Sequence, residues 1–193
     1  METKSVKGTK TEQNLLKSFA GESQARGRYT MFAKVAAEEG YEQIASIFLL
    51  TAEQEFAHAQ AFFSNLEGGM LEITAAYPAG KIGTTEENLA AAAAGEREEW
   101  RELYNHFADV AAEEGFPKLA ALWRNIAKVE AVHEARFVKM LERVSSGTEF
   151  HSEEAEKWQC RFCGFVHEGK DAPKKCPVCG KDQAWFEREM NNL

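Results

Sequence analysis

Two short stretches, EFAH at 55–58 and EAVH at 130–133, each place a glutamate three residues before a histidine. On a helix that spacing is nearly one turn, so Glu55 and His58 share a face, as do Glu130 and His133. Each pair interrupts an apolar seam at helical spacing: Ile44, Phe48, Thr51, Glu55, His58, Phe62, Leu66 in one case and Leu119, Trp123, Ile126, Glu130, His133, Phe137, Leu141 in the other. Two further seams carry acids: Leu15, Phe19, Glu22, Tyr29, and Leu89, Ala92, Glu96, Glu99, Leu103, His106, Val110. Five glutamates and two histidines therefore face one interior. A carboxylate withdrawn from water costs several kcal/mol even after relaxation. Five together would exceed the ~5–15 kcal/mol by which a whole domain is stable. They must hold protons or face cations, and two metal ions would neutralise them directly.

The arrangement matches a bundle dimetal-carboxylate site, in which two helices give one glutamate each and the other two give Glu-x-x-His. Here the single glutamates are Glu22 and Glu96, and the pairs are Glu55/His58 and Glu130/His133. One Glu-x-x-His alone is weak evidence and usually marks a solvated face. Two at matching positions on apolar seams are a different matter. Carboxylate and imidazole ligands without thiolate favour iron or manganese over zinc. Tyr29, seven residues after Glu22 on the same seam, is placed to hydrogen-bond a ligand carboxylate, and Tyr104 to do so for Glu99. His106 reads as a core or supporting histidine rather than a ligand.

A second constellation lies near the C-terminus. WQCRFCGFVHEGKDAPKKCPVCG, residues 158–180, holds Cys160, Cys163, Cys176 and Cys179 in two Cys-x-x-Cys-Gly knuckles. Four thiolates suit one tetrahedral ion, and the glycine after each knuckle permits a tight turn with backbone N–H groups facing sulfur. The pattern is specific for a metal and open between iron and zinc, since four-cysteine sites are commonly zinc ribbons. The N-terminal METKSVKGTKTEQ has no apolar signal core. The thiols are therefore expected in a reducing, cytoplasmic setting, metal-bound rather than disulfide-paired.

The elements that position these groups are almost all helical over the first ~146 residues. One helix starts at the Thr9-x-x-Glu12 capping box and stops at Gly40; a second runs from about Tyr41 to Asn65. Residues 68–84 are too long for a tight turn and suit a crossover along a bundle. A third helix opens at Thr84-x-x-Glu87 and ends at Gly115, and a fourth has Pro117 in its first turn and ends near Gly147. The chain also repeats: FAKVAAEEG at 32–40 matches FADVAAEEG at 107–115 with an offset of 75, which brings Glu55 onto Glu130 and His58 onto His133. GES at 21–23 matches GER at 95–97 with an offset of 74. The third helix thus holds one residue more than the first between its leading glutamate and the shared segment, most simply absorbed as a π-bulge. The expected architecture is an all-α four-helix bundle over 1–146 with one long crossover, a polar linker over 147–157 in which His151 is solvated, and a small four-cysteine metal ribbon over 158–193.

GESQAR at 21–26, EFAH at 55–58, GEREEW at 95–100, EAVH at 130–133 and the cysteine knuckles together resemble rubrerythrin, a ferritin-like di-iron protein with a rubredoxin-like tail. The resemblance spans nearly the full length. It implies that Glu55 and Glu130 bridge two irons, that Glu22 holds one, and that Glu96 and His133 hold the other. It further implies that Glu99 and His58 exchange at the first iron, His58 binding in the reduced state. Charge makes this reasonable: four glutamates neutralise a ferrous pair, whereas a ferric pair favours a further anion. Trp158, Phe162, Phe165, Trp185, Phe186 and CPVCG are similar to rubredoxin, which implies one iron and electron transfer at the cysteines.

The implied activity is a peroxidase that reduces hydrogen peroxide to water in oxidative-stress defence, with electrons passing through the cysteine-bound iron. The implied partners are an electron donor, rubredoxin or an NAD(P)H-dependent reductase, and further copies of the chain in a homodimer or larger oligomer. No G-x-G-x-x-G fingerprint occurs, so a dinucleotide would bind the partner. A net charge of −8 argues against nucleic acid and anionic membranes, and no stretch approaches the ~20 apolar residues of a membrane span. Two other functions compete: a ferritin-like ferroxidase or iron-handling protein, and a non-catalytic zinc-binding protein.

Overall fold

A computed structural model describes residues 4–189, so the outer ends of the expected domains, 1–3 and 190–193, lie outside it. Helix α1 spans Lys10–Glu38 and α2 spans Glu42–Phe63. After the irregular crossover come α3, Thr85–Glu98, a π-helical turn, Glu99–Leu103, and α4, Tyr104–Glu113, which form one continuous rod. Helix α5 spans Pro117–Ser145. In the bundle α1 packs along α2, and α3 and α4 pack along α5.

The chain's own chemistry starts and stops these helices. Thr84 and Glu87 form a complete capping box, whereas Thr9 caps Glu12 N–H and the Glu12 carboxylate reaches back to Gly8 N–H instead of Thr9. Each such cap contributes about 1 kcal/mol. At the other ends, Gly40 and Gly115 take φ of 86° and 82°. The left-handed turn lets Tyr41 N–H reach Ala36 O and Phe116 N–H reach Ala111 O, which closes both repeat helices alike.

The π-turn sits where the repeat has its extra residue, and it moves the buried face. Leu103 and His106 are exposed and Val110 is only half-buried, contrary to the expected seam. Tyr104, Phe107, Ala108 and Ala111 are buried instead. One inserted residue rotates everything after it by about a quarter-turn or more. His106 is thereby a surface residue, not a core one.

Apolar packing divides into two clusters. One contains Ala25, Tyr29, Phe32, Phe48, Leu89 and Phe137; the other contains Leu15, Phe62, Tyr104, Phe107 and Trp123. On all four rods the glutamates and histidines fall between residues of the first cluster and residues of the second. The polar layer is thus sealed above and below by aromatic packing.

The C-terminal unit is a three-stranded antiparallel sheet of order β2-β1-β3, with β1 at His151–Cys160, β2 at Val166–Asp171 and β3 at Phe186–Arg188. Much of the expected polar linker is therefore strand: β1 begins at His151, which pairs with Asp171 across the sheet and through its ring at 2.9 Å. Its charged residues suit a strand whose sheet is open to water on one face. Just before β1, Phe150 stacks its ring on Tyr41 at the start of α2, and Arg188 on β3 ties down the connection by donating to the carbonyls of Thr148, Glu149 and His151.

Candidate metal centres

Two groups of potential ligands meet at the bundle's middle: Glu22, Glu55, His58 and Glu130, and Glu55, Glu96, Glu130 and His133. Within each group the ligand atoms lie within 4.8 Å of one another. Glu55 and Glu130 belong to both. His58 Nδ1 lies 2.9 Å from Glu130 Oε1, 3.2 Å from Glu55 Oε2 and 3.7 Å from Glu22 Oε2. His133 Nδ1 lies 2.8 Å from Glu130 Oε2, 3.1 Å from Glu55 Oε1 and 3.8 Å from Glu96 Oε2. Each of these two carboxylates therefore offers one oxygen to each histidine's side, the disposition of a bridging ligand.

Several of these buried atoms have no hydrogen-bond partner: Glu22 Oε2, Glu55 Oε1, Glu96 Oε2, both oxygens of Glu130, and His133 Nδ1. Some lie within 3 Å of an imidazole nitrogen, yet off the line an N–H would need, so proximity here is not hydrogen bonding. Orphaned buried acceptors are costly, and all of these converge on two points. A cation at each point satisfies them together. The donor set, carboxylate oxygen and imidazole nitrogen without thiolate, fits iron or manganese.

The surrounding partners fix the ligands. Tyr29 donates to Glu96 Oε1, and Tyr104 donates to Glu22 Oε1 rather than to Glu99 as the sequence suggested. Tyr104 lies beyond the π-turn, which swings it across the bundle to α1. A residue that sequence reasoning missed, Gln54, accepts from His133 Nε2 at 3.0 Å, and Arg136 also reaches the Gln54 oxygen and Thr51. With its proton held on Nε2, His133 presents the Nδ1 lone pair to the centre. Next to it, Glu134 accepts from Arg97 and from Trp100 Nε1, an ion pair at the outer edge of the site.

Charge explains the titration of the ion-free cluster. Burial, with neighbouring carboxylates, pushes Glu22 well above the ordinary range; burial raises Glu96 to about 8, only partly opposed by His133. For Glu55 burial also acts upward but is outweighed by His133 and His58, which hold it at about 2. His133 is desolvated, yet Glu130 and Glu55 raise it to about 11. These shifts are the signature of acids short of positive charge.

Glu99 is not in either ligand group. It sits on the π-turn, half-buried, at the wall of a cavity beside the centre, and burial with the charges of Glu22 and Glu96 raises its carboxyl well above the usual range.

The four cysteines form the second centre. Their sulfurs also lie within 4.8 Å of one another, with Cys160 and Cys179 3.8 Å apart and Cys163 and Cys176 3.6 Å apart. Gly164 and Gly180 take φ of 77° and 75°, which closes both knuckles as their spacing suggested. Burial disfavours the Cys176 thiolate, but the N–H groups of Cys179 and Val178 outweigh it and hold that thiol at about 7. Pre-aimed amides of this kind favour a bound thiolate. Cys163 is exposed, so this centre reaches the protein surface.

Comparison with known proteins agrees with the geometry. Residues 13–155 match the Rubrerythrin family, and residues 158–187 match the family described as Rubrerythrin, rubredoxin-like domain. A rubrerythrin of Porphyromonas gingivalis is 61% identical over 98% of this chain and 94% of the relative. A rubrerythrin of Nitratidesulfovibrio vulgaris is 50% identical over 95% of this chain and 96% of the relative. Among solved structures, nigerythrin in its fully reduced, all-ferrous state superposes with a TM-score of 0.63 at 31% identity, covering 98% of this chain and 89% of that one. The fold is ferritin-like, with a small C-terminal sheet domain carrying the cysteines, and the chain belongs to the rubrerythrin family.

Proposed function

We propose that the chain is a non-haem di-iron peroxidase that reduces hydrogen peroxide to water. Supporting iron are the carboxylate and imidazole donors of the bundle and, for the cysteines, the all-ferrous state named for nigerythrin, since four thiolates alone suit iron and zinc alike. The observation that carries the reading is the sharing of Glu55 and Glu130 between the two ligand groups. It permits two ions in one aromatic-walled layer, in a chain that also carries a cysteine centre suited to electron transfer.

When bound, a ferrous pair supplies the two electrons that cleave the O–O bond. Glu55 and Glu130 would be shared between the two ions, Glu22 and His58 would help to hold one, and Glu96 and His133 would help to hold the other. Tyr29 and Tyr104 hold the single glutamates in place, and Gln54 keeps the His133 proton on Nε2. His58 lies among the ligands here and Glu99 stands outside them, which is the arrangement the resemblance implies for the reduced state. In the oxidised protein Glu99 would take the place of His58 among the residues holding the pair. Crystals of oxidised and reduced protein with identical ligands would refute that exchange.

Cys160, Cys163, Cys176 and Cys179 would hold a single iron, which would supply electrons one at a time. The donor is a rubredoxin or an NAD(P)H-dependent reductase, and the working form is a homodimer or larger oligomer in the cytoplasm. Among the described residues no helix is long and apolar enough to cross a membrane.

Metal analysis with anaerobic stopped-flow tests the proposal. Two irons per chain in the bundle, a red ferric tetrathiolate chromophore, and rapid oxidation by stoichiometric hydrogen peroxide are expected. Colourless protein containing zinc at the cysteines, or a reduced pair inert to peroxide, overturns it.

A further inference from the structure

A cavity of about 250 Å³ lies between α1 and the α3–π–α4 rod, roofed by crossover residues 74–78. It borders the dimetal layer: Glu99 and the ring of the fully buried Tyr104 line its inner side. The remaining wall is mixed: Leu103, Phe107 and Pro78 give an apolar side, and Lys17, Arg28 and Glu98 give a charged one. Tyr77 is fastened over it by a hydrogen bond from its hydroxyl to the Lys17 carbonyl at 2.8 Å.

Two glycines keep the space open. Gly21 and Gly95 are repeat mates, each immediately before a single glutamate ligand, and both line this cavity from facing helices. Neither has a positive φ, so the backbone does not require glycine at either position. A glycine inside a helix costs about 1 kcal/mol relative to alanine. What a side chain would meet explains the choice: a Cβ at 21 lies 3.5 Å from the Tyr77 ring, and one at 95 lies 3.7 Å from the Arg28 guanidinium. An alanine just fits, and anything longer enters the cavity.

Water occupies about 30 Å³ in the liquid, so a molecule of two oxygens leaves most of this volume unused. We propose that the cavity is a substrate site for organic hydroperoxides, ROOH, and that Gly21 and Gly95 set the largest R it admits. R packs against Leu103 and Phe107 with the peroxide group toward Glu99. This rests on the peroxidase reading and extends its substrate class. The O–O bond breaks, the two electrons come from the reduced metal pair, two protons come from solvent, and the products are ROH and water. Tyr77 is a positioning residue that holds the roof.

The test compares hydrogen peroxide and cumene hydroperoxide as oxidants of the anaerobically reduced full-length protein, in the native sequence and in Gly21→Val, Gly21→Ala and Tyr77→Ala. Cumene hydroperoxide is expected to oxidise the native protein. The ratio of its rate constant to that of hydrogen peroxide should fall about tenfold or more in Gly21→Val, the scale on which a fitted pocket rejects added bulk. It should fall less in Gly21→Ala, and it should rise in Tyr77→Ala, which unfastens the roof and removes the ring that limits the space beside Gly21. A second readout needs no turnover: metal-free crystals soaked in cumyl alcohol should hold it in the cavity, and Gly21→Val crystals should not. A ratio equal in all four proteins, an empty cavity after soaking, or a native protein oxidised by hydrogen peroxide alone overturns the inference and leaves the peroxidase reading standing. If hydrogen peroxide itself fails to oxidise the reduced protein, the peroxidase reading falls, and cumyl alcohol occupancy still decides whether the cavity binds this class.

Discussion

Tyr104, on the rod that carries Glu96, donates its hydroxyl to Glu22 on α1, while its repeat mate Tyr29 on α1 donates to Glu96. Each half of the repeat thus holds the other half's single glutamate. Both phenols are fully buried, and burial beside carboxylates raises them well above the ordinary tyrosine range, so they remain donors at any working pH. Tyr104→Phe is expected to leave the fold intact and to weaken metal retention about tenfold or more, read by competition with a chelator, since partners behind a ligand usually contribute on that scale. Tyr29→Phe should behave alike. A Tyr104→Phe protein that holds its metal as tightly as the native one would remove the reason given for this tyrosine.

Gln54 gives a sharper case because its side-chain oxygen accepts from the His133 ring at 3.0 Å. In Gln54→Leu the Nε2 proton loses its acceptor, and metal affinity should drop by roughly 10–100-fold. Gln54→Glu keeps an acceptor and should recover most of the loss. Isothermal titration of the metal-free proteins distinguishes the two.

Glu96 links charge to stability with a definite sign. In the ion-free fold it titrates at about 8 against an ordinary 4.5, chiefly through burial. The folded protein then holds a proton that the unfolded chain has released. That stabilisation is complete below about pH 4.5 and declines as pH rises toward 8. Glu96→Gln cannot ionise. Its advantage over the native chain in metal-free urea unfolding should be small at pH 4.5 and of the order of 4 kcal/mol at pH 8. The same variant should bind metal poorly. No widening gap between those pH values would contradict the burial argument.

Glu114 tests the frame rather than the centre. Its carboxylate accepts from Lys10 N–H, Thr11 N–H and the Thr11 hydroxyl, at 3.1, 2.8 and 2.6 Å, and so caps α1 from the end of α4. Its repeat mate Glu39 accepts from Thr85 N–H at 2.9 Å and caps α3. Slight burial works against the Glu114 charge, but the Thr11 hydroxyl and the amides lower its titration overall. The cap is therefore present above the ordinary carboxylate range and lost as pH falls through the lowered value. Glu114→Ala should cost about 1 kcal/mol at neutral pH, with the difference in thermal midpoint shrinking in acid.

The amino-acid order by itself determined which chemistry is present. Glutamates and histidines at helical spacing on apolar seams are buried together, and unpaired buried charge is too costly, so a layer that holds protons or faces cations follows from periodicity. The mismatch of one residue between the repeat halves determined that the third rod must swell somewhere between Glu96 and Phe107, and it does so at Glu99–Leu103. The knuckle spacing likewise determined the cysteine site.

Where the bulge falls, and everything downstream of it, was decided only in three dimensions. A π-turn rotates the rest of the rod, and an extrapolated seam then names the wrong face: His106 and Leu103 turn outward, and Tyr104 turns to Glu22. Gln54 carries no periodic signal, because its role depends on a ring from another helix arriving 3.0 Å away. Residues 151–157 read as polar linker because strand β1 lies at the surface, where pairing with Val166–Asp171 rather than apolar alternation holds it. Local spacing sets what a helix face offers; contacts between distant segments, which close only when the rods pack, set which offer is taken up.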